Sequence, residues 1–338
     1  MAIQDFNNVY TDGYRNRRNS LLKDEIIEKI KRRGGFVNTH SHLDRAYTIT
    51  PDSLHLANAD LRDKWFLVDS IKRNSSVYDI YDRMSYALDQ MLEQGVQAIG
   101  SFIDVDEVVQ DKCIRAAQIV RERYSKDIQI KYINQTLKGV IDPEARRWFE
   151  IGAEFADIIG GLPAKDAGKE EEHLDIIMHT ARRYNKPLHI HVDQFNTQQE
   201  KETELLADKT IQWGLEGKVT AIHCISVAAH KQEYRNYLYE KLKKAQINII
   251  TCPTAWIDGK RSEELAPIHN SIAPIEEMIE TGINVGIGSD NIADIIKPFT
   301  DGDMWTELRF LLESCRFYNI DELVNVSTDN GLKILGLK

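Results

Sequence analysis

From Gly34 onward, short β-rich apolar runs alternate with longer amphipathic ones, and this alternation constrains the fold more than any other feature of the chain. Eight runs have strand character: "GFVNT", "AIGSFI", "IQIKYINQTL", "ADIIGG", "PLHIHV", "KVTAIHC", "INIITC" and "NVGIGS". Helical patterns such as "YDRMSYALDQMLEQG", "KCIRAAQIVRERY", "EEHLDIIMHTARRYN" and "DMWTELRFLLESCRF" stand between and after them. Several of these close on Gly or Asn just before the next strand, the usual helix stop. Only the unit between the third and fourth runs is weaker, with "PEARRWFEIGAEF". Eight strand–helix alternations predict a parallel sheet closed into a (β/α)8 barrel, with catalytic groups at the C-terminal ends of its strands. A doubly wound open sheet is the competing architecture. No G-x-G-x-x-G follows the first strand and no Walker loop occurs, so a nucleotide-binding version of that sheet has little support.

The 338 residues, 42% of them hydrophobic, suffice for one such barrel, and no repeat or Pro/Gly linker divides them. The expected organisation is a single domain over 1–338 with a helical extension over 1–33, where "SLLKDEIIEKIKRR" has helical periodicity. Residues 43–77 exceed an ordinary βα loop and are a candidate wall or lid. With 43 Lys plus Arg against 53 Asp plus Glu, the net charge is −10, which disfavours nucleic acid or an anionic membrane as partner. No run of 18 apolar residues and no signal-peptide core occur, so the expected location is the cytoplasm. Cys113, Cys224, Cys252 and Cys315 lack framework spacing and read as buried free thiols.

The strand ends carry the chemistry. The first ends in "THSH" with His40 and His42, the fifth in "HIHVDQ" with His191, the sixth in "AIHC" with His223, and the eighth in "GIGSDN" with Asp290. Taken singly, His191 reads as a hydrogen-bonded barrel histidine, Asp290 as a helix cap, His223 as a packed residue, and H-x-H as a solvated pair. Arriving together at four strand ends on one rim, imidazoles and a carboxylate indicate a divalent metal site at the barrel mouth.

With these motifs, together with "ITCPTAW", "IEEMIETGINVGIGSDNIAD" and "NGLKILGL", the chain resembles the amidohydrolase superfamily, in particular its cytosine deaminase-like branch, over nearly all residues from Gly34. The resemblance implies that His40, His42, His191 and Asp290 bind one divalent ion, zinc or iron. It places His223 beside the metal-bound water or the substrate, and makes Asp290 and His223 the catalytic pair. Gln194, Asn291, Thr254, Trp256 and Arg45 are the expected substrate-binding residues.

Departures from the branch narrow the chemistry. Its deaminases carry H-x-D-E at the fifth strand, whereas this chain has Gln194, which hydrogen-bonds but cannot titrate. Asn291 replaces a second aspartate, and Ala164 stands after the fourth strand where a pyrimidine-reading glutamine is expected. Lys165, a position to weigh for a carbamylated bridge between two metals, lies beyond Pro163 and reads as solvated or substrate-facing. His189 is expected in the barrel core, and His55, His173, His179, His230 and His269 at the surface. Only 39 residues precede His40, so the flanking β-sandwich common in the family is not expected. The favoured function is metal-dependent hydrolysis of an amide-like C–N bond in a small cyclic or nitrogen-rich substrate, with deamination of an amino-heterocycle as the alternative and a silent binding protein as the third reading. A homo-oligomer is left open.

Overall fold

The computed structural model describes residues 22–258 and 270–338. All eight expected strands form: β1 (Phe36–Ser41), β2 (Val96–Asp104), β3 (Gln129–Gln135), β4 (Ile159–Gly161), β5 (Leu188–Val192), β6 (Val219–His223), β7 (Asn248–Thr251) and β8 (Val285–Ile287). They pair in parallel as two ladders, β1-β2-β3 and β4-β5-β6-β7-β8. Parallel bridges Ile133–Ile158 and Ser41–Asp290 join the ladders at both seams, so the eight strands form one ring in chain order. This is the (β/α)8 barrel that the alternation predicts. Among the described residues no strand lies outside the two ladders.

The seams depend on close approach rather than on long ladders. A Cβ on Gly160 would fall 1.9 Å from the Asn134 carbonyl oxygen, and one on Gly288 would fall 2.7–2.9 Å from Cβ, O and N of His40. The β1–β8 seam is further stitched by side chains. Asn38 exchanges two hydrogen bonds with Ser289, Thr39 Oγ1 donates to the Ile287 carbonyl, and the Asp290 N–H donates to the His40 carbonyl at 2.9 Å.

Burial on both faces explains the apolar character of the strands. Val37, Phe102, Ile133, Ile222 and Ile250, from five different strands, meet in one cluster inside the ring, and Ile334 and Leu335 of the last helical segment join it. A larger cluster packs the outer face of the ring against the helices. A third, with Trp65, Val68, Leu137, Leu162 and Ile296, lies over the loops at the C-terminal rim.

Local signals set the helix ends. Ser76 and Asp79 form a reciprocal capping box at the start of Val77–Glu93, and Asp142 caps Pro143–Phe155, which begins on proline. Asn185 and Gly214 end their helices in the left-handed conformation. The N-terminal helix Leu22–Arg32 buries Ile26 and Ile30, and Lys29 and Arg33 pair with Asp321 and Asp329 near the other end of the chain. The remainder of the expected 1–33 extension lies outside the described residues. Among those described, no helix is long and apolar enough to cross a membrane, and all four thiols are free.

Candidate metal centre at the barrel mouth

β1, β5, β6 and the segment after β8 deliver His40, His42, His191, His223 and Asp290 to one point on the C-terminal rim. Ring centroids lie 4.9 Å apart for His40–His42 and for His40–His191, and 5.4 Å apart for His191–His223. Asp290 Oδ1 is 3.3 Å from Nε2 of both His40 and His42. Two donors sharing a tetrahedral ion at about 2.0–2.2 Å stand roughly this far apart. Candidate ligand atoms of His40, His42 and His191, and of His40, His223 and Asp290, lie within 4.8 Å of one another. The Phe102 ring packs 5.0 Å from His40 and 4.6 Å from His191, an apolar floor that fixes both imidazoles.

The donor set suits a cation. Both ring nitrogens of His40, and Nδ1 of His42 and of His223, are buried without a hydrogen-bond partner, and a bound ion would engage the one nitrogen of each ring that faces it, such as His40 Nε2 beside Asp290 Oδ1. Burial holds His42 and His191 well below the usual histidine range, and holds His223 down at about 4. Burial also works to raise Asp290, but the neighbouring imidazoles of His40 and His42, with His223 and Lys297, together outweigh it and keep the carboxyl well below its ordinary value. Neutral imidazoles around an ionised carboxylate are the protonation states that metal binding requires.

Above this cluster opens a cavity of about 700 Å³. His42, His191, His223, Asp290, Asn291, Gln194 and Arg45 line it. Its far wall is residues 57–65, the end of a 3-10 turn and the start of helix Leu61–Asn74, so the long segment after β1 does wall the pocket. Gln194 faces the cavity with its amide nitrogen buried and unpartnered. Asn291 Nδ2 donates to Asp294. Arg45 is 3% exposed and pairs with Asp104 at 3.4 Å, with Asp294 3.9 Å away. Lys72 of the wall helix meets Asp104 at 3.2 Å and Asp106 at 2.5 Å, tying the wall to the end of β2.

Thr254 and Trp256 do not line the cavity, contrary to expectation. Residues Pro253–Ile257 form a 3-10 turn that sends the Thr254 hydroxyl to Glu307, at 2.6 Å, and to Lys297. It buries Trp256 against Phe310, with ring centroids 6.2 Å apart. Ala255 and Asp258 of this segment reach the cavity instead. Ala164 and Lys165 are absent from the lining. The Lys165 ammonium sits over the rings of Trp65 and Phe66, 5.0 and 4.6 Å from their centroids. Gln135, at the end of the third strand, lines the cavity, and the strand-end rule applied to "YINQ" would have identified it.

His189 lies in the core, its Nε2 3.4 Å from the Ile334 carbonyl oxygen. His173 is not a surface residue. It is fully buried, accepts the Leu162 N–H and contacts Asp166 at 2.7 Å, bracing the loop after β4. His55 and His179 are exposed, His230 is half-buried, and His269 lies outside the described residues.

The chain belongs to the amidohydrolase family, whose profile matches residues 34–338, and is a metal-dependent hydrolase of carbon–nitrogen bonds. It is 50% identical over 264 residues to an uncharacterized protein of Haemophilus influenzae, covering 77% of this chain and 94% of that one. It is 26% identical over 333 residues to the N-isopropylammelide isopropyl amidohydrolase of Pseudomonas sp. strain ADP, covering 94% of this chain and 78% of the relative. Among solved structures it is similar to 5-methylcytosine deaminase from Klebsiella pneumoniae, with a TM-score of 0.83 at 24% identity over 89% of this chain and 74% of that one.

Proposed function

We propose that His40, His42, His191 and Asp290 hold a single zinc or iron ion and that the enzyme hydrolyses an amide-like C–N bond in a small, cyclic or nitrogen-rich substrate seated in the cavity above them. The carrying observation is the convergence of four buried imidazoles and one carboxylate, with unpartnered ring nitrogens, at the base of a cavity of about 700 Å³. A divalent ion there supplies Lewis acidity and a nucleophilic water at neutral pH. Asp290, ionised in the resting site, takes the proton of the attacking water and passes it to the leaving nitrogen. His223, neutral and with Nδ1 unpartnered, orients on the carbonyl oxygen where charge develops, a contribution on the order of 3 kcal/mol for such groups. Gln194, Asn291 and Arg45 bind the polar edge of the ring, and the wall at residues 57–65 keeps bulk water away.

Nitrogen heterocycles named for the amidohydrolase relative and for the deaminase structural neighbour support the substrate class. Gln194 favours amide-type hydrolysis within it. Aromatic deamination protonates a ring nitrogen, and an amide side chain at this position cannot deliver that proton. The test combines elemental analysis with turnover of a panel of cyclic amides and amino-substituted nitrogen heterocycles by metal-loaded protein. About one zinc or iron per chain, lost in His191→Ala, and cleavage of an amide-like bond are expected. A metal-free wild type, or unchanged occupancy in His191→Ala, defeats the metal assignment, and efficient ammonia release from exocyclic amines would establish the deaminase alternative.

A further inference from the structure

Lys297 is a buried charge that the mechanism above does not use. It is 1% exposed, and an ammonium taken out of water persists only where acceptors replace its hydration. Three surround it. Nζ donates to the Ser289 carbonyl at 3.1 Å and to Thr254 Oγ1, and Glu307 Oε1 lies 3.9 Å away. Glu307 is itself engaged by the N–H and the hydroxyl of Thr254, at 2.9 and 2.6 Å. The nearer partners of the lysine are therefore neutral oxygens at the ends of β7 and β8, and one of them belongs to the peptide unit that leads into Asp290.

That peptide unit is under constraint. Asp290 has φ of 60°, the left-handed region, which aspartate adopts more readily than most residues with a side chain. The carbonyl of the 289–290 peptide accepts from Lys297, and its N–H donates to the His40 carbonyl at 2.9 Å. Both polar ends of one peptide plane are thus pinned, one to a buried cation and the other to a residue whose imidazole stands in the ligand cluster. Fixing the plane fixes the N–Cα bond of Asp290, and with φ at 60° this sets the direction in which Cα–Cβ presents the carboxylate that lies 3.3 Å from the two imidazoles.

We propose that Lys297 is a positioning residue for the metal centre: it holds the Ser289 carbonyl so that the left-handed Asp290 backbone keeps its carboxylate aimed at His40 and His42. This inference rests on the reading of Asp290 as a ligand. Groups that orient ligands typically change metal affinity about 10- to 100-fold when removed.

The test compares Lys297→Met with Lys297→Met/Glu307→Gln, measuring zinc affinity by competition with a chelating indicator and Tm of the zinc-stripped proteins. Lys297→Met leaves Glu307 buried without its cation and is expected to lower both. The double variant removes the orphaned charge, so its Tm should recover while zinc affinity stays about 10- to 100-fold weaker than in the wild type. The double variant carries the comparison even where the single variant does not fold. Zinc affinity within about twofold of the wild type in either variant, or affinity that recovers together with Tm in the double variant, shows that Lys297 only balances Glu307 and overturns the proposal. A wild type that binds no zinc removes the metal reading itself, and this inference with it.

Discussion

At Asp290 one side chain is asked to be both ligand and proton carrier, and the two tasks separate on substitution. Asp290→Asn keeps an oxygen for coordination but cannot take a proton. Turnover should fall by at least about 10²-fold with zinc still bound, measured as kcat alongside metal content. Near-wild-type kcat with full occupancy would remove Asp290 from proton transfer. Gln194→Ala should instead raise KM with a smaller change in kcat, because the unpartnered amide donor offers substrate a hydrogen bond and no proton. The clustered residues were legible in the sequence because residue type and strand-end position coincide five times. Thr254 and Trp256 were misread because the "CPTAW" segment is also at a strand end, yet the 3-10 turn that rotates both side chains away has no periodic signature. Lys297 and Glu307 were invisible for the opposite reason: a lone Lys and Glu in a sequence read as solvated charges, and only the fold shows them buried together.

At the level of elements, the number, order and direction of the strands follow from the alternation of runs, but the closure of the ring does not. The β1–β8 seam consists of one bridge and side-chain hydrogen bonds, and nothing in the periodicity of "NVGIGS" marks which of its glycines lets β8 approach β1. Gly288 does so at His40. An added methyl would meet His40 backbone atoms at 2.8 and 2.9 Å, and backbone cannot swing aside as a flexible side chain can, so β8 must retreat. Gly288→Ala should cost about 1–3 kcal/mol, as overpacking does, visible as a lower Tm. It should also weaken zinc retention, because the displaced strand leads directly into Asp290. An alanine variant with wild-type Tm and zinc retention would show that the seam tolerates separation. The wall helix Leu61–Asn74 presents the complementary case. Its excess length beyond an ordinary loop was readable, while its anchoring through buried Lys72 on Asp104 and Asp106 was not.

For the whole molecule, a net charge of −10 suggests carboxylates spread over a solvated surface, yet several acids are buried along the catalytic rim, where they govern how stability responds to pH. The loop after β5 carries Gln194 into the cavity and is braced by reciprocal bonds: Glu202 Oε2 accepts the Asp193 N–H at 3.2 Å, Asp193 Oδ1 accepts the Glu202 N–H at 2.8 Å, and Glu200 accepts the Phe195 N–H at 3.0 Å. Burial first, then the neighbouring Glu200 and Asp193, pushes Glu202 up to about 8, and burial pushes Glu200 up to about 7. The folded protein therefore holds these protons more tightly than the unfolded chain, in which a glutamic acid titrates near 4.5. Their contribution to stability is fully present below that value and is lost as pH rises through about 7 to 8, in the direction opposite to a salt-bridged carboxylate. Tm at constant zinc should accordingly fall between about pH 5 and about pH 9, and Glu202→Gln, whose amide never ionises, should show a shallower fall over the same interval. Equal slopes for the variant and the wild type would mean that Glu202 releases its proton in the fold as readily as in the unfolded chain, and that the brace beneath Gln194 carries its charge throughout.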